Sequence, residues 1–150
     1  MIGFVIAVPL FTGLIIGVAQ GGILVFDQIE LANATAVGSR AFALGRRAQP
    51  YTNTIKAIAN SGRLPLGSSN VTLSVGGTVC TSDATCLAAL NTAYYVSGAH
   101  YSPASWTTVT VTYRCPTFLP TSWLALARVC SGTNESPPGF LTDRMSQPVQ

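Results

Sequence analysis

Four cysteines are the residues of this sequence whose type and spacing best suit covalent chemistry. Cys80, Cys86, Cys115 and Cys130 are even in number, and all follow a long apolar N-terminal segment. Because a structural zinc site needs closely spaced ligand pairs and His100 is the sole histidine, two disulfides in an oxidising compartment are favoured over a metal site. Of three possible connectivities we favour nearest-neighbour pairing, Cys80 with Cys86 and Cys115 with Cys130.

The remaining polar residues form no catalytic pattern. Asp27 and Glu30 lie one helical turn apart, as an acid and a base might, but no histidine is near them in the sequence. We expect them to be solvated or ion-paired groups at a membrane boundary, and we expect His100 in a loop. The sequence contains no nucleophile elbow, phosphate-binding loop or zinc-protease motif. It therefore predicts a protein that is not an enzyme and has neither a cofactor nor a small-molecule substrate.

Charged residues are scarce in this chain. They make up 9% of the 150 residues, and the formal net charge is +3. The eight Lys and Arg residues are scattered, without the clustering and aromatic neighbours that favour nucleic-acid binding. We therefore expect no nucleic-acid partner. The length leaves room for one small domain beside a membrane anchor.

Residues 1–26 contain no Asp, Glu, Lys, Arg or His. Because a helix needs roughly 20 apolar residues to cross a hydrocarbon core, this segment is long enough to be a transmembrane helix. It lacks the basic start and the short apolar region of a signal peptide, which favours an uncleaved helix. Gly13, Gly17 and Gly21 recur every fourth residue, so they form one stripe on which another helix can pack closely.

Residues 27–64 are expected to continue the helical region. The segment is rich in Ala and Gly, and no Pro occurs in it before Pro50. A single helix over residues 3–48 would be roughly 70 Å long, about twice what a bilayer requires, so its second half must pack on protein. The alternative is a break at Gly21 and Gly22, because adjacent glycines disfavour a helix. Pro50 interrupts the pattern, and residues 51–60 suit a short second helix.

Residues 65–130 are predicted to form a disulfide-bonded β-sheet domain. Alternation over residues 70–80, with Gly76 and Gly77 at its centre, predicts a hairpin. Residues 107–113 read as a half-buried strand with its valines on one face, and residues 123–129 as a weaker strand. If these two strands formed a tight hairpin, Cys115 would lie near the turn and Cys130 at the far end. Their Cα atoms would then be farther apart than the roughly 7 Å limit for a disulfide. Either the last strand pairs elsewhere or the connectivity differs.

A third helix is predicted within the sheet domain. Ser82 suits an N-cap for a helix that starts at Asp83, and Gly98 suits its end. The face expected to pack on the sheet contains Leu87, Leu90 and Tyr94. Residues 131–150 are rich in Pro and polar residues and are expected to form a flexible tail. The predicted fold is α+β and pilin-like: a long N-terminal transmembrane helix, then a small antiparallel sheet of three or four strands with one short helix.

The order of these blocks resembles the TadE-like minor pilins, or pseudopilins, of tight-adherence pilus systems. The similarity lies in GFVIAVPLF at residues 3–11 and in NATAVGSR at residues 33–40, and more loosely in VTVTY at residues 109–113. Gly3 stands where the family usually carries Glu. The resemblance implies a membrane-inserted prepilin that acts in pilus assembly, with other pilin-like subunits, including copies of itself, as partners.

We expect a single-pass protein of the inner membrane with its C-terminal domain outside, or incorporated in an extracellular pilus. Two rules disagree on this topology. Arg40, Arg46 and Arg47 follow the apolar segment and no base precedes it, so the positive-inside rule alone would leave the domain in the cytoplasm. The four cysteines favour the outside, and we give them more weight. The alternative function is an envelope binding module for which the helix is only a tether.

Overall fold

The computed structural model describes residues 2–45, 49–96, 106–114 and 140–149 of the chain. Within them it confirms the α+β class, with a long apolar helix followed by a four-stranded antiparallel sheet and a short helix. The chain forms two compact units, one comprising Met1–Ile29 and Arg114–Leu141, the other Glu30–Tyr113 and Thr142–Gln150. The elements are α1 (Ile2–Ala43), α2 (Pro50–Asn60), a 3₁₀ turn (Ser68–Asn70), β1 (Val71–Val75), β2 (Thr78–Cys80), α3 (Asp83–Val96), β3 (Trp106–Arg114) and β4 (Phe140–Pro148).

Helix α1 is continuous from Ile2 to Ala43, so the alternative break at Gly21 and Gly22 does not occur. Its last turn contains Arg40, whose positive charge suits the negative end of the helix dipole. The helix ends before residue 48, the limit predicted from the sequence. Residues 46–48 lie outside the described part of the chain.

In the second unit, α1 buries a face made largely of small residues. Ala34 and Ser39 are almost fully buried there, and so is Phe42. At Gly38 the helix backbone approaches α2 so closely that a Cβ atom would lie 2.5 Å from Cγ1 of Ile58. This confirms the expectation that the second half of the long helix packs on protein, and it explains the small residues of the segment.

The loop that follows α2 is bound to α1 by two polar contacts within the same unit. The carboxylate of Glu30 accepts a hydrogen bond from the amide of Arg63, with an N–O distance of 3.3 Å. The side-chain amide of Asn33 donates to the carbonyl of Ser61 at 3.4 Å. Glu30 is thus a hydrogen-bond acceptor at a partly exposed position, and the expectation that it is solvated or ion-paired stays untested.

The hairpin of β1 and β2 forms as predicted. Gly76 and Gly77 have φ angles of 56° and 86°, which is the pair of positive values that a two-residue type I′ turn requires. Val75 pairs with Thr78 directly across this turn. On its other side β1 pairs with β3, in the strand order β2-β1-β3-β4.

Helix α3 starts at Asp83 and has Ser82 as its N-cap, as predicted. The amide of Thr85 donates to the hydroxyl of Ser82 at 3.3 Å, and the amide of Ser82 donates to the hydroxyl of Thr85 at 3.1 Å. The buried face differs in one position from the prediction, because Ala93 is buried whereas Tyr94 is 40% exposed. Leu90 is fully buried, as expected, and Leu87 is half-buried.

Strand β3 buries Val109 and Val111, as its alternation predicted. The expectation of a flexible tail over 131–150 is wrong for its second half, because Phe140–Pro148 forms the edge strand β4. The hydroxyl of Thr107 donates to the carbonyl of Gln147 at 2.8 Å, which ties this strand to the sheet. The strand predicted over 123–129 lies outside the described residues.

Candidate functional site

The described residues include one helix, α1, that is long and apolar enough to cross a membrane. Only 11% of its most apolar window is buried in the structure. The core helix of a soluble protein would bury most of such a window, so burial inside the protein does not account for this composition. The first half of α1, which belongs to the first unit, is therefore the candidate functional surface.

Large apolar side chains cover most of this surface in the first unit. Leu10, Phe11 and Val18 are about two-thirds exposed, with values of 70%, 68% and 69%. Burying a side chain of this size contributes about 1.5–3 kcal/mol, and soluble monomers rarely leave such residues exposed in a continuous group. The surface therefore suits an apolar environment, which either lipid chains or neighbouring helices can provide.

Gly13, Gly17 and Gly21 lie on the same helix and leave its backbone open. A Cβ atom added at any of them would meet no described atom within 4 Å. Nothing in the described part of the chain occupies these positions, so they are candidates for the close approach of another helix backbone. That they pack on a partner stays a prediction.

One face of α1 in the first unit is buried, in contrast to the exposed apolar surface. Gln20, Leu24 and Asp27 are only 8%, 3% and 8% exposed, and they follow the i, i+4, i+7 spacing of one helix face. Gly13 and Gly17 precede Gln20 and Leu24 by seven residues each, which places them on the same face. We expected Asp27 to be solvated or ion-paired; its burial rules out the solvated alternative and leaves the ion-paired one untested.

Thr12 is the one hydroxyl residue of the apolar segment, and its side chain is satisfied within the helix. Its hydroxyl donates to the carbonyl of Val8 at a distance of 2.8 Å. A hydroxyl that binds the carbonyl four residues earlier needs no water, so it is compatible with a hydrocarbon environment. This polar residue does not argue against a membrane location.

Elsewhere the described residues offer little for chemistry. They hold no group of three or more His, Cys, Asp or Glu side chains placed to bind a metal ion. One shallow pocket in the second unit is lined by Arg40, Ala43, Leu44 and Gln147, and it contains no paired acid and base. His100, Cys115 and Cys130 lie outside the described residues, so the second predicted disulfide is not described.

Cys80 and Cys86 form a disulfide, with 5.1 Å between their Cα atoms, as the pairing of nearest neighbours predicted. Asp83, between them, accepts hydrogen bonds from the hydroxyl and the amide of Thr52 at 2.6 and 3.0 Å. These two bonds hold the pKa of the Asp83 carboxyl below its usual range, and the positive charge of Lys56 acts in the same direction. This contact between α2 and α3 had no signal in the sequence.

No family model, no curated protein and no solved structure matches this chain. The features of this chain that bear on its function are the exposed apolar side chains of α1 and the glycines of that helix that meet no described atom.

Proposed function

We propose that this chain is a non-enzymatic minor pilin, pseudopilin or assembly factor of a tight-adherence type pilus or secretion filament. The observation that carries the proposal is the first half of α1, whose large apolar side chains are exposed and whose glycines meet no described atom within 4 Å of a Cβ position. Such a helix can leave the lipid and pack on equivalent helices without a change in its own structure. Its assembly partners are other pilin-like subunits, including copies of this chain.

The test compares Gly17→Leu with Val18→Leu in the full-length chain. A Cβ atom at Gly17 meets no described atom within 4 Å, and the longer leucine side chain would block a neighbouring helix backbone. Val18 is 69% exposed, and leucine there adds bulk where close approach is not required. Pilus yield in the producing organism and crosslinking between two tagged copies in its membranes should fall for Gly17→Leu alone. Equal assembly by the two variants would contradict the packing role.

A second candidate function is a membrane-anchored envelope binding module. It is favoured by the core of the second unit, where Leu73, Leu90 and Val109 are fully buried, because a domain with its own core needs the helix only as a tether. Replacing residues 1–26 with an unrelated apolar helix separates the two functions. A tethered module keeps its activity after this exchange, whereas a filament subunit loses it.

The proposed topology places the second unit outside the inner membrane. The disulfide of Cys80 and Cys86 supports this location, because such bonds persist in oxidising compartments. In intact cells, a membrane-impermeant thiol reagent should label the protein only after an external reductant has been added. Labelling without reductant, or labelling that requires permeabilisation of the inner membrane, would overturn this topology.

A further inference from the structure

The N-terminus of α2 is capped by a residue from another helix. Gln49 precedes the helix, and its side chain makes no capping hydrogen bond in the described structure. The amide of Thr52, in the first turn, instead donates to Oδ1 of Asp83. The hydroxyl of Thr52 donates to Oδ2 of the same carboxylate. Because the first amides of a helix have no partner within it, this carboxylate satisfies a group that would otherwise need water.

Asp83 lies within the short loop that the disulfide of Cys80 and Cys86 closes. Asp83, Ala84 and Thr85 form the first turn of α3, and none of the three is buried. The first buried residue of the helix is Cys86, which is fully buried and bonded to Cys80 at the end of β2. The bonds between Ser82 and Thr85 stay within the same turn, so they do not attach it to the sheet. The backbone through Thr81 and Ser82 is one covalent link between this turn and β2, and the disulfide is the second.

We propose that the disulfide of Cys80 and Cys86 is a redox-sensitive latch for α2, and that it acts through the Asp83 cap. With the bond closed, Asp83 is held where it binds Thr52, and α2 packs with Ile58 against Gly38 of α1. With the bond open, the first turn of α3 moves away, the cap is lost and the start of α2 opens more often.

The redox step is an ordinary thiol–disulfide exchange. The two thiols close into a disulfide by exchange with a disulfide-donating oxidant, which takes up two electrons and two protons and leaves as a dithiol. Stable packing of α2 on α1 is therefore delayed until the chain reaches an oxidising compartment. It is a property of the second unit and does not depend on the proposed filament function.

Hydrogen exchange of the full-length chain in detergent micelles tests the latch. Replacing Cys80 and Cys86 with serine should speed exchange of the Thr52 amide on the order of tenfold or more, since a disulfide of this kind stabilises its surroundings to that extent. Asp83→Asn should have a similar effect, and the combined variant should add little to either. The matched control replaces Cys115 and Cys130 with serine, and it should leave Thr52 unchanged. The latch would be refuted if the exchange rate of the Thr52 amide did not change in the Cys80 and Cys86 variant, or if the control raised that rate equally. It would also be refuted if the effects of the cysteine and Asp83→Asn substitutions on that rate were fully additive.

A second measurement uses the intact disulfide, so it does not depend on how well the serine variants fold. If the closed bond favours the cap, then the cap must favour the closed bond by the same factor. Asp83→Asn should therefore shift the exchange equilibrium of the Cys80–Cys86 bond with dithiothreitol several-fold toward the thiols. Asp143→Asn, in β4, is the control and should leave that equilibrium unchanged. An equal equilibrium constant for wild type and Asp83→Asn would overturn the proposal.

Discussion

The contact between Gly38 and Ile58 predicts that Gly38→Ala destabilises the wild-type chain but stabilises a variant in which Ile58 has been shortened. In Gly38→Ala the new Cβ atom would lie 2.5 Å from Cγ1 and 2.6 Å from Cδ1 of Ile58, well inside the separation of about 3.5–4 Å at which carbon atoms attract. Overpacking of this kind costs about 1–3 kcal/mol, and the better helix propensity of alanine returns up to about 1 kcal/mol. We expect a net loss of about 1–2 kcal/mol in the free energy of unfolding.

The same substitution should be favourable once Ile58 is shortened. Ile58→Ala removes both clashing carbons, and it should itself cost about 2–5 kcal/mol because Ile58 is only 1% exposed. Adding Gly38→Ala to that variant places a methyl group in the space that was opened, so it should raise stability by roughly 1 kcal/mol. The interaction energy between the two positions should therefore be about 2–3 kcal/mol.

Thermal unfolding of the full-length chain in detergent, followed by circular dichroism, measures this cycle. Gly17→Ala is the control, because its Cβ atom meets no described atom within 4 Å and the variant should be neutral or slightly stabilised. Additive effects of Gly38→Ala and Ile58→Ala would refute the inferred contact. So would a Gly38→Ala variant that is as stable as Gly17→Ala.

Three further predictions concern the sheet and its caps. Gly77→Val should lower the free energy of unfolding by about 1–2 kcal/mol in denaturant titrations, because a branched residue resists the positive φ of 86°, whereas Gly76→Asn should be tolerated. Wild type should be more stable than Asp83→Asn at neutral pH, and the difference should shrink as the pH falls below about 4. The pKa of Asp83 is lowered in the folded state, so its contribution is complete above the unfolded value of 3.8 and is lost as the carboxylate is protonated. Truncation after residue 139 should abolish cooperative unfolding in calorimetry, since it removes β4 with the buried Leu141; a truncated chain that unfolds as wild type does would show that β4 is dispensable.

Elements with a local signal could be predicted from the sequence. Gly76 and Gly77 have the backbone freedom that the tight turn requires. The alternation of valine and threonine along β3 places the valines on one face of the strand. Strand β4 has no such signal, because its sequence is mostly polar and its pairing depends on a distant strand. The bond from Thr107 to Gln147 spans 40 residues, and no local pattern indicates a contact of that range. The Asp83 cap on Thr52, 31 residues away, was not predictable for the same reason.

The glycines of α1 show why residue type alone does not identify a packing site. Gly13, Gly17 and Gly21 have the regular spacing that suggests helix packing, yet they meet no described atom within 4 Å in the single chain. Gly38 belongs to no such stripe, and it makes the close contact with Ile58 because α2 lies directly on it. In the second unit, then, the glycine that permits a close helix contact, Gly38, is already occupied by α2. The glycines of the first unit meet no described atom, so we propose for them the same kind of contact with a helix from outside the chain, and Gly17→Leu tests whether it forms.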